Sequence, residues 1–302
     1  MNRWRAVRKR KTRWALVAGA VLIVSLMPSA NASAPDRPGP SNAFPIVRIS
    51  APGLPDHTLL RPAQLRDVRF KMPIVLWGNG GCRQSNMEHN YFLTHLAAHG
   101  YFILAAGAPE NPFMGTEVSG MVLPGPERML AAADWAEQQN RDRSSPYYNR
   151  LDVSRITAMG QSCGGYQALD ASADPRIRST IVWNSGYDTH HPTTVTEVHA
   201  PILFAYGGTI DYMGWDAIAS YNATPVPTVL ASLDKAGHTG LVNDPEPPAK
   251  APTAFQRESL AVAHQWLALT LYESADGERF FLGQPCTLCE RPGWTVQSRN
   301  WS

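Results

Sequence analysis

Short apolar runs alternate with amphipathic segments through most of this chain. Eight runs of four to six residues, rich in Val, Ile and Leu, predict β-strands at residues 44–49, 57–60, 73–77, 101–106, 155–159, 180–184, 202–206 and 228–233. Longer segments predict helices at residues 87–99, 126–140, 163–172, 213–221 and 254–272. In the last of these, apolar residues recur every three or four positions, which is typical of a helix packed on a core.

Strands of this composition, separated by helices, indicate a mostly parallel sheet covered by helices on both faces. The first two strands have no helix between them and are predicted to form an antiparallel edge. The fold class is therefore α/β, with a central sheet of about eight strands. Only about 17 residues separate the strands at 180–184 and 202–206, which is too few for a separate lid domain.

Residues 1–32 have the order of a secretory signal peptide. Seven basic residues and no acid precede an apolar run over 15–27, and Ala30-Asn31-Ala32 follows as a small-x-small cleavage site. The run is shorter than the ~20 residues of a membrane span. We therefore expect a secreted or periplasmic protein that is cleaved near Ala32 and has no stable membrane insertion afterwards. An uncleaved anchor is the alternative.

The rest of the chain is predicted to be one α/β domain at 44–302, after a flexible, Pro-, Ser- and Ala-rich lead-in at 33–43. The leader holds seven of the 27 basic residues and none of the 25 acidic ones. The domain is therefore mildly acidic, and its charge gives no reason to expect nucleic-acid binding.

Ser162 is the strongest candidate for chemistry. A predicted strand runs directly into Gly160-Gln161-Ser162-Cys163-Gly164, and a predicted helix follows, which is the setting that a G-x-S-x-G motif requires. Glycines two residues before and after the serine permit a tight turn. The turn lifts the hydroxyl above the carboxyl edge of the sheet, at a helix N-terminus that stabilises negative charge. A chance glycine-rich turn is the alternative.

A serine hydroxyl needs a base to become a strong nucleophile. In this type of fold the chain order is Ser, acid, His. His238 lies on a glycine-flanked loop just after the last predicted strand and is the preferred base. Asp211 is the preferred acid, while Asp188 is an alternative after the preceding strand and Asp234 is expected at a strand end. Three other histidines follow the serine but precede Asp211: His190, His191 and His199.

Acyl transfer also needs two N–H donors that converge on the developing oxyanion. Cys163, directly after the serine, should supply one. The glycine-rich loop Gly78-Asn79-Gly80-Gly81-Cys82 should supply the other, with Gly81 preferred and Cys82 next. This loop lacks the Lys-Ser/Thr ending of a P-loop and the G-x-G-x-x-G spacing, so we do not assign it to phosphate binding.

The four cysteines favour disulfides, because their number is even and export is expected. The convergence of the two oxyanion donors places Cys82 near Cys163, so we hypothesise a bond between them, which requires Cα atoms within ~7 Å. Two separately buried thiols are the alternative. Cys286 and Cys289 have no second ligand pair for zinc, so a structural disulfide and no metal site are predicted there.

These motifs resemble lid-less α/β-hydrolases, which include cutinase-like polyester hydrolases and chlorophyllase-like and dienelactone-hydrolase-like esterases. The similarity covers most of residues 70–270. It rests on Gly81-Cys82-Arg83-Gln84-Ser85, Leu96-Ala97-Ala98-His99-Gly100, Ala158-Met159-Gly160-Gln161-Ser162-Cys163-Gly164-Gly165 and the Gly237-His238 loop. The resemblance implies the α/β-hydrolase fold, a Ser162–His238–Asp211 triad, and Gly81 and Cys163 as oxyanion donors.

The resemblance also implies that Tyr187 flanks the bound ester. Two departures are that Gly81 stands where cutinase-like enzymes usually carry an aromatic residue, and Cys163 where they usually carry methionine. Among the other aromatics, Trp215 is predicted to line the site, whereas Trp77 and Trp183 lie within strands and are assigned to the core.

The sequence therefore predicts hydrolysis of a small-molecule or polymeric carboxylic ester through an acyl-enzyme, with no metal or organic cofactor. A lactonase, thioesterase or peptidase with the same triad is one alternative. A non-catalytic binding protein on this fold is another.

Overall fold

Strands and helices alternate along the chain in the computed structural model, which describes residues 36–112, 125–187, 197–242 and 253–301. Within these ranges the strands are β1 (Ile46–Ala51), β2 (Leu54–Pro62), β3 (Met72–Gly78), β4 (Phe102–Ala106), β5 (Leu151–Gln161), β6 (Ile177–Trp183), β7 (Ile202–Tyr206), β8 (Thr228–Leu233) and β9 (Trp294–Arg299). The helices are α1 (Asn90–Ala98), α2 (Glu127–Arg141), α3 (Cys163–Ala171), α4 (Gly214–Ala223), α5 (Ala254–Tyr272) and α6 (Ala275–Phe281).

The strands of the described chain form one nine-stranded sheet in the order β1-β2-β4-β3-β5-β6-β7-β8-β9. Strands β3 to β8 are parallel to one another. At the two edges, β1, β2 and β9 pair in the antiparallel sense. The predicted α/β fold, with its mostly parallel sheet and antiparallel first edge, is confirmed.

The carboxyl ends of the six parallel strands lie at one edge of this sheet. The chain leaves β5 at Ser162, while Asp211 and His238 lie on the loops after β7 and β8. In α/β sheets, ligands bind outside the carboxyl ends of the strands. The fold therefore brings the three residues to the edge where a site is expected.

Helices cover both faces of the sheet. Helices α1 and α5 pack together over one face, and their core includes Trp77, Trp183 and Trp266, all almost fully buried. The opposite face carries α2, α3 and α4. Burial of each large apolar side chain stabilises the fold by roughly 1.5–3 kcal/mol. The predicted assignment of Trp77 and Trp183 to the core is confirmed.

Local capping sets the start of α5. The Thr253 hydroxyl accepts a hydrogen bond from the Gln256 backbone N–H (3.1 Å), and the Gln256 side chain accepts one from the Thr253 N–H (2.9 Å). This capping box satisfies two N–H groups that a helix start leaves without partners. The helix begins at Ala254 and ends at Tyr272, as predicted.

The C-terminal part of the chain adds elements that the sequence did not predict. Helix α6 packs against α5, and β9 pairs with β8, from Leu233 opposite Trp294 to Thr228 opposite Arg299. The sheet therefore has one strand more than the eight predicted segments. A disulfide joins Cys286 to Cys289, as predicted, with Cα atoms 5.2 Å apart.

The described part of the predicted lead-in is hydrogen-bonded to the end of α1. The Gly39 N–H and the Asn42 side-chain amide both donate to the His99 carbonyl (3.1 Å each). The Phe44 N–H donates to the Ala98 carbonyl (2.8 Å). Gly39 and Asn42 therefore contact the domain through hydrogen bonds, while the flexibility of residues 33–43 stays a prediction.

Two predictions concern residues outside the described ranges. One is the signal peptide at 1–32. The other is that no separate lid domain lies between β6 and β7, because residues 188–196 of that connection are outside the described ranges. None of the helices in the described chain is long and apolar enough to cross a membrane.

Candidate active site

Ser162 occupies the sharp turn between β5 and α3. Strand β5 ends at Gln161 and α3 begins at Cys163, while the Ser162 N–H still donates to the Trp183 carbonyl of β6 (2.9 Å). The serine backbone has φ 54° and ψ −119°, outside the regions that non-glycine residues favour. Such a conformation costs on the order of 1–3 kcal/mol, and the surrounding sheet and helix enforce it.

The motif glycines are required because three backbones meet here. A Cβ on Gly160 would lie 1.9 Å from the Gly164 carbonyl oxygen. A Cβ on Gly164 would lie 2.0 Å from the Gly78 carbonyl oxygen. Any side chain at either position would push α3 away from β3 and β5.

The structure brings Ser162, His238 and Asp211 into one hydrogen-bonded chain. His238 Nε2 lies 2.9 Å from Ser162 Oγ, and His238 Nδ1 lies 2.9 Å from Asp211 Oδ1. The imidazole is nearly buried and the carboxylate is fully buried. With the Nδ1 proton donated to Asp211, Nε2 is left to accept the serine proton.

Asp211 is held in its charged form by several donors. Its Oδ2 accepts hydrogen bonds from Asn184 Nδ2 (2.7 Å) and the Gly207 N–H (2.9 Å), and its Oδ1 accepts one from the Met213 N–H (3.1 Å). Burial acts to raise the pKa of the carboxyl, but these bonds and the one from His238 lower the pKa below its ordinary value. The acid is therefore a carboxylate at neutral pH.

Of the alternatives to Asp211 and His238, the structure describes Asp234 and His199. Asp188, His190 and His191 are outside the described residues. The Asp234 side chain is 52% exposed, and its carboxylate lies 3.9 Å from Lys235 Nζ. His199 Nε2 contacts the Ile177 carbonyl (3.1 Å) at the start of β6, at the opposite edge of the sheet.

A disulfide joins the loop after β3 to the serine turn. Cys82 and Cys163 are bonded, with Cα atoms 5.2 Å apart, as hypothesised. Gly81 and Cys82 both have positive φ, at 59° and 52°, in the turn Gly80–Cys82. Because Cys163 is the first residue of α3, its N–H has no acceptor within the helix. The disulfide therefore holds the loop that contains Gly81 beside the N-terminus of α3.

Two buried polar residues that the sequence did not single out support this loop. The Asn79 amide donates to the Ala106 (2.8 Å) and Arg83 (3.0 Å) carbonyls, and its oxygen accepts from Trp77 Nε1 (3.1 Å). Gln161 Nε2 donates to the His238 carbonyl (2.9 Å).

Gln161 also lies against the glycine-rich loop, since a Cβ on Gly80 would be 2.1 Å from Gln161 Oε1. One side chain thus spans from the serine turn to both the loop after β3 and the His238 loop. The position of Gln161 inside the G-x-S-x-G motif was the sequence feature that could have identified it.

Tyr212 is a further site residue that the sequence analysis missed. Its ring centroid lies 4.0 Å from that of His238, with the planes 32° apart. Burial and the charge of Asp211 raise the pKa of the phenol, and nearby Ser162 offsets this rise in part. The side chain is nevertheless 70% exposed. The position of Tyr212 directly after the candidate acid Asp211 was the sequence feature that could have identified it.

The two aromatics predicted to contact the substrate are associated with α4. Tyr187 is half-buried against the core beneath α4, and its N–H donates to Ser220 Oγ. Trp215 is 80% exposed on α4. It lines a cleft of about 410 Å³ that also includes Asp211 and Ser232. Substrate contact by Tyr187 and Trp215 stays a prediction.

Comparisons with known proteins agree with these motifs. A family model described as PET hydrolase-like matches residues 81–243, which is more than half of the 302-residue chain. The match extends from the glycine-rich loop to just beyond His238.

Several curated relatives are fungal. The hydrolase ffsE of Aspergillus flavipes is 30% identical over 138 residues, covering 45% of this chain and 30% of that protein. The alpha/beta hydrolase ucsC of an Acremonium species is 30% identical over 173 residues, covering 56% and 34%. The alpha/beta hydrolase xenA of Xenoacremonium sinensis is 33% identical over 137 residues, covering 44% and 30%. The chain thus spans about a third of the length of these relatives.

Proposed function

The chain belongs to the PET hydrolase-like family of the α/β-hydrolase superfamily, and from this premise we propose that it hydrolyses carboxylic esters through a covalent acyl-enzyme. The observation that carries the proposal is the hydrogen-bonded chain from Asp211 through His238 to Ser162. A nucleophile, a base and a group that orients the base are the elements that such catalysis needs.

In the proposed acylation step, Ser162 Oγ attacks the ester carbonyl carbon while its proton moves to His238 Nε2. Asp211 stabilises the imidazolium and keeps its ring oriented. The carbonyl oxygen becomes an oxyanion and accepts hydrogen bonds from the Cys163 N–H and an N–H of the loop containing Gly81. The tetrahedral intermediate collapses as the leaving alkoxide takes the proton from Nε2.

Deacylation repeats these steps with water as the nucleophile. His238 removes a proton from water, the hydroxide adds to the acyl carbon, and Ser162 leaves with the proton returned by Nε2. The proposed reaction steps require no metal ion or organic cofactor.

The disulfides support a proposed extracellular or periplasmic location. Cys82–Cys163 and Cys286–Cys289 are both paired. Disulfides persist in oxidising compartments and are rare in the cytosol. This agrees with the signal peptide expected at residues 1–32.

Labelling with a fluorophosphonate probe tests the proposal directly. We expect one probe per chain, attached to Ser162, and loss of p-nitrophenyl acetate hydrolysis in proportion to labelling, because phosphonylation consumes the nucleophile. Peptide mass spectrometry locates the label. Labelling that is absent, or equal in the heat-denatured protein, would contradict the proposal. A panel of p-nitrophenyl esters, a polyester film, a lactone, a thioester and a peptide amide then identifies the substrate class.

The disulfide beside the nucleophile gives a second prediction. Replacing Cys82 and Cys163 together by serine is expected to lower kcat about 10- to 100-fold, because the two proposed oxyanion donors lose their fixed spacing. Removal of a whole donor costs about 10²–10³-fold, so a loosened donor costs less. The variant should also be destabilised by about 2–5 kcal/mol. Rates measured well below the melting temperature separate the two effects.

The double variant of Cys286 and Cys289 is the matched control. That disulfide follows α6, and Cys286 packs in the core with residues of α5 and α6, so its loss is expected to leave kcat within twofold of wild type. Equal losses of kcat in the two double variants would show that the Cys82–Cys163 bond has no special effect on the site.

A further inference from the structure

The aromatic ring of Tyr212 covers the candidate base. The ring centroids lie 4.0 Å apart and the planes are tilted by 32°, so the phenol ring overlies the His238 imidazole. The electron-rich face of an aromatic ring attracts a cation placed over it. His238 becomes such a cation whenever it takes the serine proton.

The Tyr212 side chain also lies near the nucleophile. Ser162 is close enough to the phenol to lower its pKa, and Ser162 Oγ lies 2.9 Å from His238 Nε2. The serine proton points at Nε2 when that nitrogen is unprotonated, so Oγ can only accept a hydrogen bond from the tyrosine. In a hydrogen bond between the two hydroxyls, Tyr212 is therefore the donor.

The tyrosine keeps the proton that it donates. Partial burial and the neighbouring charge of Asp211 both raise the pKa of the phenol, and nearby Ser162 offsets them only in part. The hydroxyl is therefore protonated at neutral and mildly alkaline pH.

The backbone on either side of Tyr212 is fixed by the turn that presents the acid. The Asp211 N–H donates to the Gly208 carbonyl (3.1 Å), and the Gly214 N–H donates to the Asp211 carbonyl (2.9 Å). The Met213 N–H donates to the Asp211 carboxylate (3.1 Å). The same turn thus positions both the carboxylate that binds His238 Nδ1 and the phenol that lies over the imidazole ring.

We propose that Tyr212 is a fourth catalytic residue, whose hydroxyl donates to Ser162 Oγ and whose ring face stabilises the His238 imidazolium. The inference rests on the proposed ester hydrolysis. As the Ser162 proton moves to Nε2, negative charge grows on Oγ beside the phenol O–H, and positive charge grows beneath the ring. When Oγ becomes the ester oxygen of the acyl-enzyme, the phenol retains its proton, so Tyr212 stabilises the charge separation without itself changing protonation state.

Two replacements separate the hydroxyl from the ring. Tyr212→Phe removes only the donor and is expected to lower the acylation rate constant about 3- to 10-fold. Tyr212→Ala removes the ring as well and is expected to lower it about 10- to 100-fold. KM should change less than twofold in Tyr212→Phe, because the hydroxyl acts on the serine rather than on ground-state binding. The pre-steady-state burst with p-nitrophenyl acetate measures acylation.

Tyr148 offers matched controls. It is an exposed tyrosine whose ring lies 6.0 Å from the Arg143 guanidinium, before the start of β5 at the opposite edge of the sheet. Tyr148→Phe and Tyr148→Ala are expected to act like wild type. Because Tyr212 is mostly exposed, its variants should keep the wild-type circular dichroism and melting temperature.

The outcomes distinguish this inference from the proposed function. If Ser162→Ala remains as active as wild type, the proposed function fails and the Tyr212 inference fails with it. If Ser162→Ala is inactive but Tyr212→Phe acylates as fast as wild type or faster, the proposed function stands and the Tyr212 inference is overturned.

Discussion

Replacing Ser162 with alanine is expected to lower kcat for p-nitrophenyl acetate about 10⁴- to 10⁶-fold. The variant has no hydroxyl to attack the carbonyl, so the acyl-enzyme cannot form. The residual rate would come from the proposed oxyanion donors and from substrate binding, which act without the nucleophile. KM should change little, because the hydroxyl contributes mainly in the transition state. Steady-state kinetics on the purified variant, together with loss of fluorophosphonate labelling, measure the effect.

Ser185→Ala is the matched control for this variant. Ser185 is the second residue after β6 and is buried, and its Cβ packs toward Gly165 of α3. The same atom is removed close to the site, but alanine keeps the Cβ, so we expect kcat within about twofold of wild type. Residual activity above a few per cent in Ser162→Ala, with a folded protein, would show that another group is the nucleophile.

The extent to which the fold follows from the sequence depends on how local each signal is. Strands Ile202–Tyr206 and Thr228–Leu233 and helix Ala254–Tyr272 begin and end where the pattern predicts. Their ends are marked by prolines, glycines or a capping box, which act within a few residues. Strand β5 instead runs from Leu151 to Gln161, well beyond the predicted 155–159, because pairing with both β3 and β6 extends it.

Strand β9 had no comparable signal. Its six residues, Trp294–Arg299, are mostly polar and only partly buried. They are a strand because they lie along the free edge of β8 and complete its hydrogen bonding. A tertiary partner, rather than local propensity, determines this element.

The residues of the candidate site also differ in whether a local signal or a tertiary arrangement determines them. Ser162 follows from a contiguous motif, and Asp211 and His238 follow from their order after particular strands. Asn184 and Tyr212 could not be assigned, because their roles depend on how loops after β6, β7 and β8 meet above the sheet edge. A single sequence gives loop positions along the chain but not the distances between loops.

Replacing Asp211 with asparagine is expected to lower kcat about 10²- to 10⁴-fold. The carboxylate accepts the Nδ1 proton of His238 at 2.9 Å and opposes the charge of the imidazolium. An amide carries no charge. Its NH₂ group would face either His238 or the donors that now bind Oδ2, Asn184 Nδ2 and the Gly207 N–H. One buried donor would be left unpaired, so a loss of about 1–3 kcal/mol of folding free energy is also expected.

The pH dependence of the folding stability should reflect the same carboxylate. Because its folded pKa lies below the ordinary value, Asp211 contributes stability that is present above the unfolded pKa and is lost only as pH falls through the lower folded pKa. The unfolded pKa of an Asp is about 4, so Asp211→Asn should lose less stability relative to wild type at pH 3 than at pH 5. Thermal unfolding of both proteins at these two pH values measures the difference, and a larger difference at pH 3 would contradict the prediction.

Two other carboxylates make the assignment of the acid testable. Asp234→Asn changes a half-exposed group close to His238 in sequence and is expected to leave kcat within about twofold, because its carboxylate faces Lys235 instead. Asp188→Asn tests the alternative acid of the sequence analysis. If Asp188→Asn lowers kcat by the larger factor while Asp211→Asn keeps most of the activity, the assignment of Asp211 is wrong. If only Asp211→Asn is impaired, the buried carboxylate after β7 is the group that orients His238.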